Sequence, residues 1–184
     1  MSDDERIGRV TGIPLFPFEG EFTLKELGPR MDAEIQREGE GDKPCRRCGD
    51  DGGDVLWTND RFLISDGPAT ANPVCLFLET VDHLDFDGFD DDMAAELGVL
   101  TMHLSRAIEA RPRVGRTHIH RWGDGSEHYH LWFQGRPARQ LELFGWGNVL
   151  WSQVLDPAPA DERAADREAV LADFVAAVGG RLSV

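Results

Sequence analysis

Lysine is nearly absent from this chain: Lys25 and Lys43 are the only two in 184 residues, and every other fixed cation is arginine. Cations as a whole are scarce, with 19 Lys and Arg against 34 Asp and Glu and a formal net charge of −15. A field of that sign repels nucleic-acid backbones, so no nucleic-acid partner is expected, and a phosphate ligand would need local donors. No apolar run approaches the roughly 20 residues of a membrane span, which leaves no membrane partner either. Met1-Ser2-Asp3-Asp4-Glu5-Arg6 is acidic and lacks the basic-then-apolar layout of a secretion signal, so the expected location is cytoplasmic. The three cysteines, Cys45, Cys48 and Cys75, are an odd count that does not read as a disulfide framework. Internal repeats and low-complexity tracts are also missing.

What remains is one domain's worth of chain with 41% hydrophobic residues, enough to bury a core. Residues 1–30 mix short apolar pieces with Gly and Pro and read as an extended arm, with a short strand at Phe22-Thr23-Leu24. A brief helix is expected over Met31–Arg37, followed by a polar linker to Pro44. Strands are expected at Val55–Thr58, Arg61–Ser65 and Val74–Glu79, the last a continuous apolar run holding Cys75 as a core thiol. Asp90-Asp91-Asp92 caps a helix over 91–110, with Met93, Leu97, Leu100, Leu104 and Ile108 as its apolar stripe and His103 at the boundary of that stripe. Arg116–Trp122 and residues 126–134 form a hairpin around Gly123-Asp124-Gly125. Leu141–Leu155 is apolar and partly helical, and Asp161–Val178 is a closing helix stopped by Gly179-Gly180.

Two features carry chemistry. Cys45-Arg46-Arg47-Cys48-Gly49 is a C-x-x-C step followed by a glycine-rich turn, the form of a zinc knuckle; a redox motif is the rival, but it would open a helix after a strand. The second is Ser126-Glu127-His128-Tyr129-His130-Leu131-Trp132. On a strand, His128 and His130 share one face with Ser126 and Trp132, while Tyr129, Leu131 and Phe133 turn to the core. That pair suits metal ligation, or nucleophilic and acid–base work on an anionic substrate; a surface strand carrying two unremarkable histidines stays open beside it. His118 and His120 also share a face, cleft or solvent.

In order, the C-x-x-C, the Trp57-Thr58-Asn59-Asp60 turn, a strand, Asp82-His83, an amphipathic helix and a hairpin with His-x-His resemble the histidine-triad superfamily over residues 45–137. The resemblance points to its zinc-bearing branch that includes galactose-1-phosphate uridylyltransferase. It implies an α+β fold, an antiparallel sheet with helices packed on one face, here with the arm at 1–40, the domain at 41–155 and the closing helix at 156–184. It further implies a nucleotide or nucleotide-derivative ligand and a homodimer. By the same resemblance His128 is the nucleophile that takes a nucleotidyl group, and His130 helps hold the phosphate. Asn59 and Asp60 contact the sugar, and Gly125 and Ser126 supply donors to phosphoryl oxygens.

Cys45, Cys48 and His83 then match three zinc ligands. The motif's first histidine, a fourth ligand in zinc-bearing members, falls on Ser126, which leaves Glu127, His118, His120 or water for that place. Tyr129 and His130 replace the proline and glutamine of hexose-1-phosphate uridylyltransferases, which favours hydrolase-like chemistry. The resulting function is a nucleotide hydrolase or nucleotidyltransferase. The alternatives are a nucleotide-binding module without turnover and a zinc-stapled interaction protein.

Overall fold

A computed structural model describes residues 2–49 and 52–183; Asp50 and Asp51, in the turn expected after Cys48, lie outside the described residues. Its frame is a six-stranded sheet. The strands are β1 (Val55–Thr58), β2 (Phe62–Asp66), β3 (Val74–Thr80), β4 (Val114–His120), β5 (His130–Pro137) and β6 (Arg181–Leu182), in the order β4-β5-β3-β2-β1-β6. Every pairing is antiparallel. The α+β architecture read from the sequence is therefore the observed one.

Alternation along the strands sorts side chains onto two faces. One face carries Trp57, Phe62, Ile64, Leu76, Leu78 and Phe133 into a single core with Met93, Leu97, Leu100, Leu104 and Ile108 of α2 (Asp91–Glu109) and Val170, Leu171 and Phe174 of α4 (Ala160–Val178). Each fully buried side chain of this kind contributes about 1.5–3 kcal/mol. Asp90 caps α2 by accepting from the Met93 N–H at 2.7 Å, which satisfies one orphan donor at the helix start.

The other face is the one that matters for chemistry. Direct cross-strand pairs set Glu79 opposite His130, Phe77 opposite Trp132 and Cys75 opposite Gln134, with His120 opposite Trp132 and His118 opposite Gln134 on the far side of β5. The short helix α3 (Gly147–Trp151) covers one end of this face, where Asn148 Nδ2 donates to Gln134 Oε1 at 3.2 Å. The other end, around His130, stays open.

Three local expectations differ from the structure. The N-terminus forms a helix, α1 (Asp3–Thr11), closed by a reciprocal capping box between Ser2 and Glu5 and burying no residue; local capping alone accounts for it. Met31–Arg37 and Phe22–Leu24 are neither helix nor strand, because they find no core to cover. Residues 126–129 are not part of β5, which begins at His130. They are held instead by the incoming arm: Glu38 N–H donates to Gly125 O at 3.0 Å and Glu127 N–H to Glu38 O at 2.9 Å.

Candidate metal centre and active site

The irregular stretch before β5 decides the site. Freed from strand geometry, His128 turns its ring toward the C-x-x-C turn. Donor atoms of Cys45, Cys48, His83 and His128 all lie within 4.8 Å of one another. His128 Nδ1 is 3.6 Å from Cys45 Sγ and 3.4 Å from Cys48 Sγ, and His83 Nδ1 is 3.3 Å from Cys48 Sγ. Zinc at about 2.3 Å from sulfur and about 2.0–2.1 Å from nitrogen sets a tetrahedral N···S edge of roughly 3.6 Å. These separations match that edge.

The outer contacts fit as well. Each imidazole faces the cluster with Nδ1 and an oxygen acceptor with Nε2: His128 Nε2 lies 2.9 Å from Thr80 O, and His83 Nε2 lies 3.2 Å from Glu127 Oε2. An acceptor on the far nitrogen holds the proton there and leaves the near nitrogen's lone pair for a metal. Burial lowers the His128 pKa and so favours the neutral ring that ligates. Two cysteine sulfurs and two imidazoles in this geometry are consistent with a closed structural zinc site, and the residues present fit that ion.

His128 therefore stands where the sequence reading left a gap. Glu127 contacts His83 Nε2 on the side away from the cysteines, and His118 and His120 lie across β5 on β4, so none of the three is in this donor cluster. His128 is 2% exposed, with Nε2 against Thr80 O and Nδ1 facing the two cysteine sulfurs.

His130 is placed differently. Its Nδ1 donates to His128 O at 3.0 Å, which sets the tautomer and leaves the Nε2 lone pair uncommitted among the described residues. The ring lines a cavity of about 510 Å³ whose wall includes Phe77, Glu79, Ser126, Trp132, Arg46 and Arg47. Gly125 lines it too, so both candidate donor positions of that turn are at the pocket.

Asn59 and Asp60 are not among the lining residues. Asn59 Oδ1 accepts from the N–H groups of Arg61 and Phe62 at 2.9 and 2.8 Å, and its Nδ2 donates to Glu96 Oε1 on α2 at 2.8 Å. Its side chain closes the β1–β2 turn and bonds to α2.

Two pocket features escaped the sequence reading. Arg47 clamps Glu79 through Nε at 2.5 Å and Nη2 at 2.6 Å, and Ser65 Oγ donates to the same carboxylate. A lone glutamate in the apolar run of β3 was the available signal. Trp132 packs edge-on against Phe77, with centroids 4.4 Å apart, and stacks on His120 at 5.6 Å and 14°. Only the register of three strands reveals that stack.

No protein-family model and no curated protein matches this sequence. Solved structures do resemble it. A histidine triad protein from Bradyrhizobium japonicum is similar over 66% of this chain and 90% of its own, at 14% identity and a TM-score of 0.54. A Zn-bound histidine triad family protein from Mycobacterium smegmatis matches over 66% and 86% at 15% identity, with a TM-score of 0.48. A hypothetical histidine triad nucleotide-binding protein from Sulfolobus tokodaii matches over 71% and 91% at 10% identity, with a TM-score of 0.49. On the first of these likenesses, the antiparallel sheet with α2 and α4 on one face is a fold shared with a histidine triad protein.

Proposed function

We propose that this chain binds a nucleotide derivative in the open-face pocket and transfers its nucleotidyl group through His130. A zinc ion held by Cys45, Cys48, His83 and His128 staples the pocket wall. The observation that carries the reading is the His130 Nδ1 to His128 O hydrogen bond, because with the proton on Nδ1 the ring that lines the cavity keeps its Nε2 lone pair free of protein partners among the described residues. The motif assignment thus moves by two positions: His128 is the metal-ligating histidine, His130 the nucleophile and Trp132 the third position.

In the first step the Nε2 lone pair forms a P–N bond, the bond from phosphorus to the leaving group breaks, and its electron pair goes to the leaving atom. In the second, water or an acceptor hydroxyl adds to phosphorus, the P–N pair returns to Nε2, and the acceptor's proton passes to solvent. This splits one displacement into two easier ones. Ser126 and the backbone around Gly125 line the cavity beside His130, within the wall that would face the phosphoryl oxygens. The zinc supplies cross-linking, fixing the backbone carbonyl on which His130 leans.

The test is adduct capture. Incubation with radiolabelled nucleoside diphosphates and nucleotide sugars, then an alkaline quench, yields an acid-labile nucleotide on the wild-type chain and none on His130→Ala. Labelling that survives in His130→Ala while disappearing in a folded, zinc-replete His128 variant would sink the assignment. A second reading, binding without turnover, draws on Trp132, which puts an indole at the third motif position where the family's histidine helps hold the phosphate; it predicts thermal stabilisation by nucleotides and no adduct.

A further inference from the structure

The leaving group needs a proton or must do without one, and the pocket wall bears on which. Trp132 presents an indole N–H, a donor that gives up no proton in the accessible pH range. The other ionisable wall groups are committed. Glu79 accepts from Arg47 Nε and Nη2 and from Ser65, so its oxygens are filled as acceptors. Glu38 Oε1 accepts from the Arg46 N–H at 2.6 Å, Asp66 pairs with Arg167, and His128 sits in the metal cluster. His120 lies behind the Trp132 ring and does not line the cavity. Among the described residues, no group is poised to protonate a departing atom. One cation is loosely held at the wall: Arg46 Nε is 3.7 Å from Glu38, and its side chain is 71% exposed.

On the proposed nucleotidyl transfer, we infer that the site is selective for substrates whose leaving group departs as a stable oxyanion, as the phosphate of a phosphoanhydride does, with Trp132 the residue that rejects alkoxide and amine leaving groups. The P–O bond breaks toward an oxygen that already tolerates the negative charge, so no acid is required, and Arg46 meets the departing anion. An amine or simple alkoxide would leave as a strong base, a step that general-acid catalysis speeds by about 10²–10⁴-fold where an acid exists.

The experiment compares kcat/KM for four uridine and four adenosine 5′-phosphoryl substrates: the diphosphate, the p-nitrophenyl ester, the methyl ester and the n-propyl phosphoramidate. The zinc-replete wild type is expected to turn over the first two at least about 100-fold faster than the last two. Trp132→His, which supplies an ionisable ring, is expected to raise the phosphoramidate rate relative to the p-nitrophenyl rate by about tenfold or more. Trp132→Phe keeps the aromatic packing without the ring nitrogen and is expected to retain the wild-type selectivity. Comparable wild-type rates across the series, or a Trp132→His protein that is folded and binds nucleotide yet gains nothing on the phosphoramidate, overturns the inference while leaving His130 as nucleophile. Turnover of no substrate, with no adduct on His130, overturns the underlying reading and this inference with it.

Discussion

Arg47, standing between Cys45 and Cys48, grips the carboxylate of Glu79, and Glu79 lies directly opposite His130 across the β3–β5 pair. The metal turn and the pocket floor are therefore tied twice, once through the Cys/His cluster and once through this ion pair. Glu79 is 5% exposed, so its oxygens depend on Arg47 and Ser65 for hydrogen bonds.

Breaking that pair from one side leaves a buried charge without its counterpart. Arg47→Met is expected to destabilise the fold by about 3–5 kcal/mol, and the double variant Arg47→Met/Glu79→Gln to recover part of the loss. Urea unfolding of the wild type, both single variants and the double variant measures this; strict additivity would refute the coupling.

Metal and nucleophile should separate cleanly. His128→Ala is expected to lose zinc and adduct formation together, with a lowered melting temperature. His130→Ala is expected to keep about one zinc per chain and a near wild-type melt while losing the adduct. Metal analysis, thermal unfolding and labelling on the same preparations check it. A His128→Ala protein with full zinc occupancy contradicts the cluster.

Asn59→Ala removes the side chain that closes the β1–β2 turn and bonds to α2. The expected result is a loss of about 1–2 kcal/mol of stability, from the lost bonds and the unpaired N–H groups, with nucleotide affinity unchanged. Calorimetric titration with a nucleotide that binds the wild type, beside a urea melt, distinguishes this from a sugar-binding role.

Acid should weaken the β4 side of the molecule. Burial lowers the pKa of His118, aided by the nearby Arg136 charge, and of His120, aided by His118 and His130, below the ordinary value of 6.5. A folded-state value below the unfolded one means the unfolded chain takes up protons first. This contribution is therefore neutral above about pH 6.5 and becomes destabilising as the pH falls through that value toward the folded-state pKa. His118→Phe/His120→Phe is expected to show a shallower fall in urea midpoint between about pH 7 and 5.5 than the wild type; an equal fall counts against the assignment.

Local pattern was enough for the scaffold. The stripe of Met93, Leu97, Leu100 and Leu104 behind the Asp90 cap specifies α2, because 3.6-residue periodicity and an N-cap are properties of neighbouring residues. Strand alternation likewise predicted that Tyr129, Leu131 and Phe133 turn to the core, and they do pack there. α1 went unread because its capping box lies in an acidic stretch with no buried partner to mark it.

Residue type and spacing thus marked, without coordinates, a C-x-x-C turn, a following histidine and a His-x-His step as the chemistry-bearing residues of an antiparallel sheet. Which histidine joins the cysteines and which lines the pocket was decided by tertiary structure alone. Pairing of Glu38 with Ser126 pulls residues 126–129 out of β5 and swings His128 into the cysteine cluster, whereas His130, first residue of the strand, stays over the pocket. Two residues of one type, two positions apart, are identical to any local rule. They differ only in what the rest of the chain brings against them.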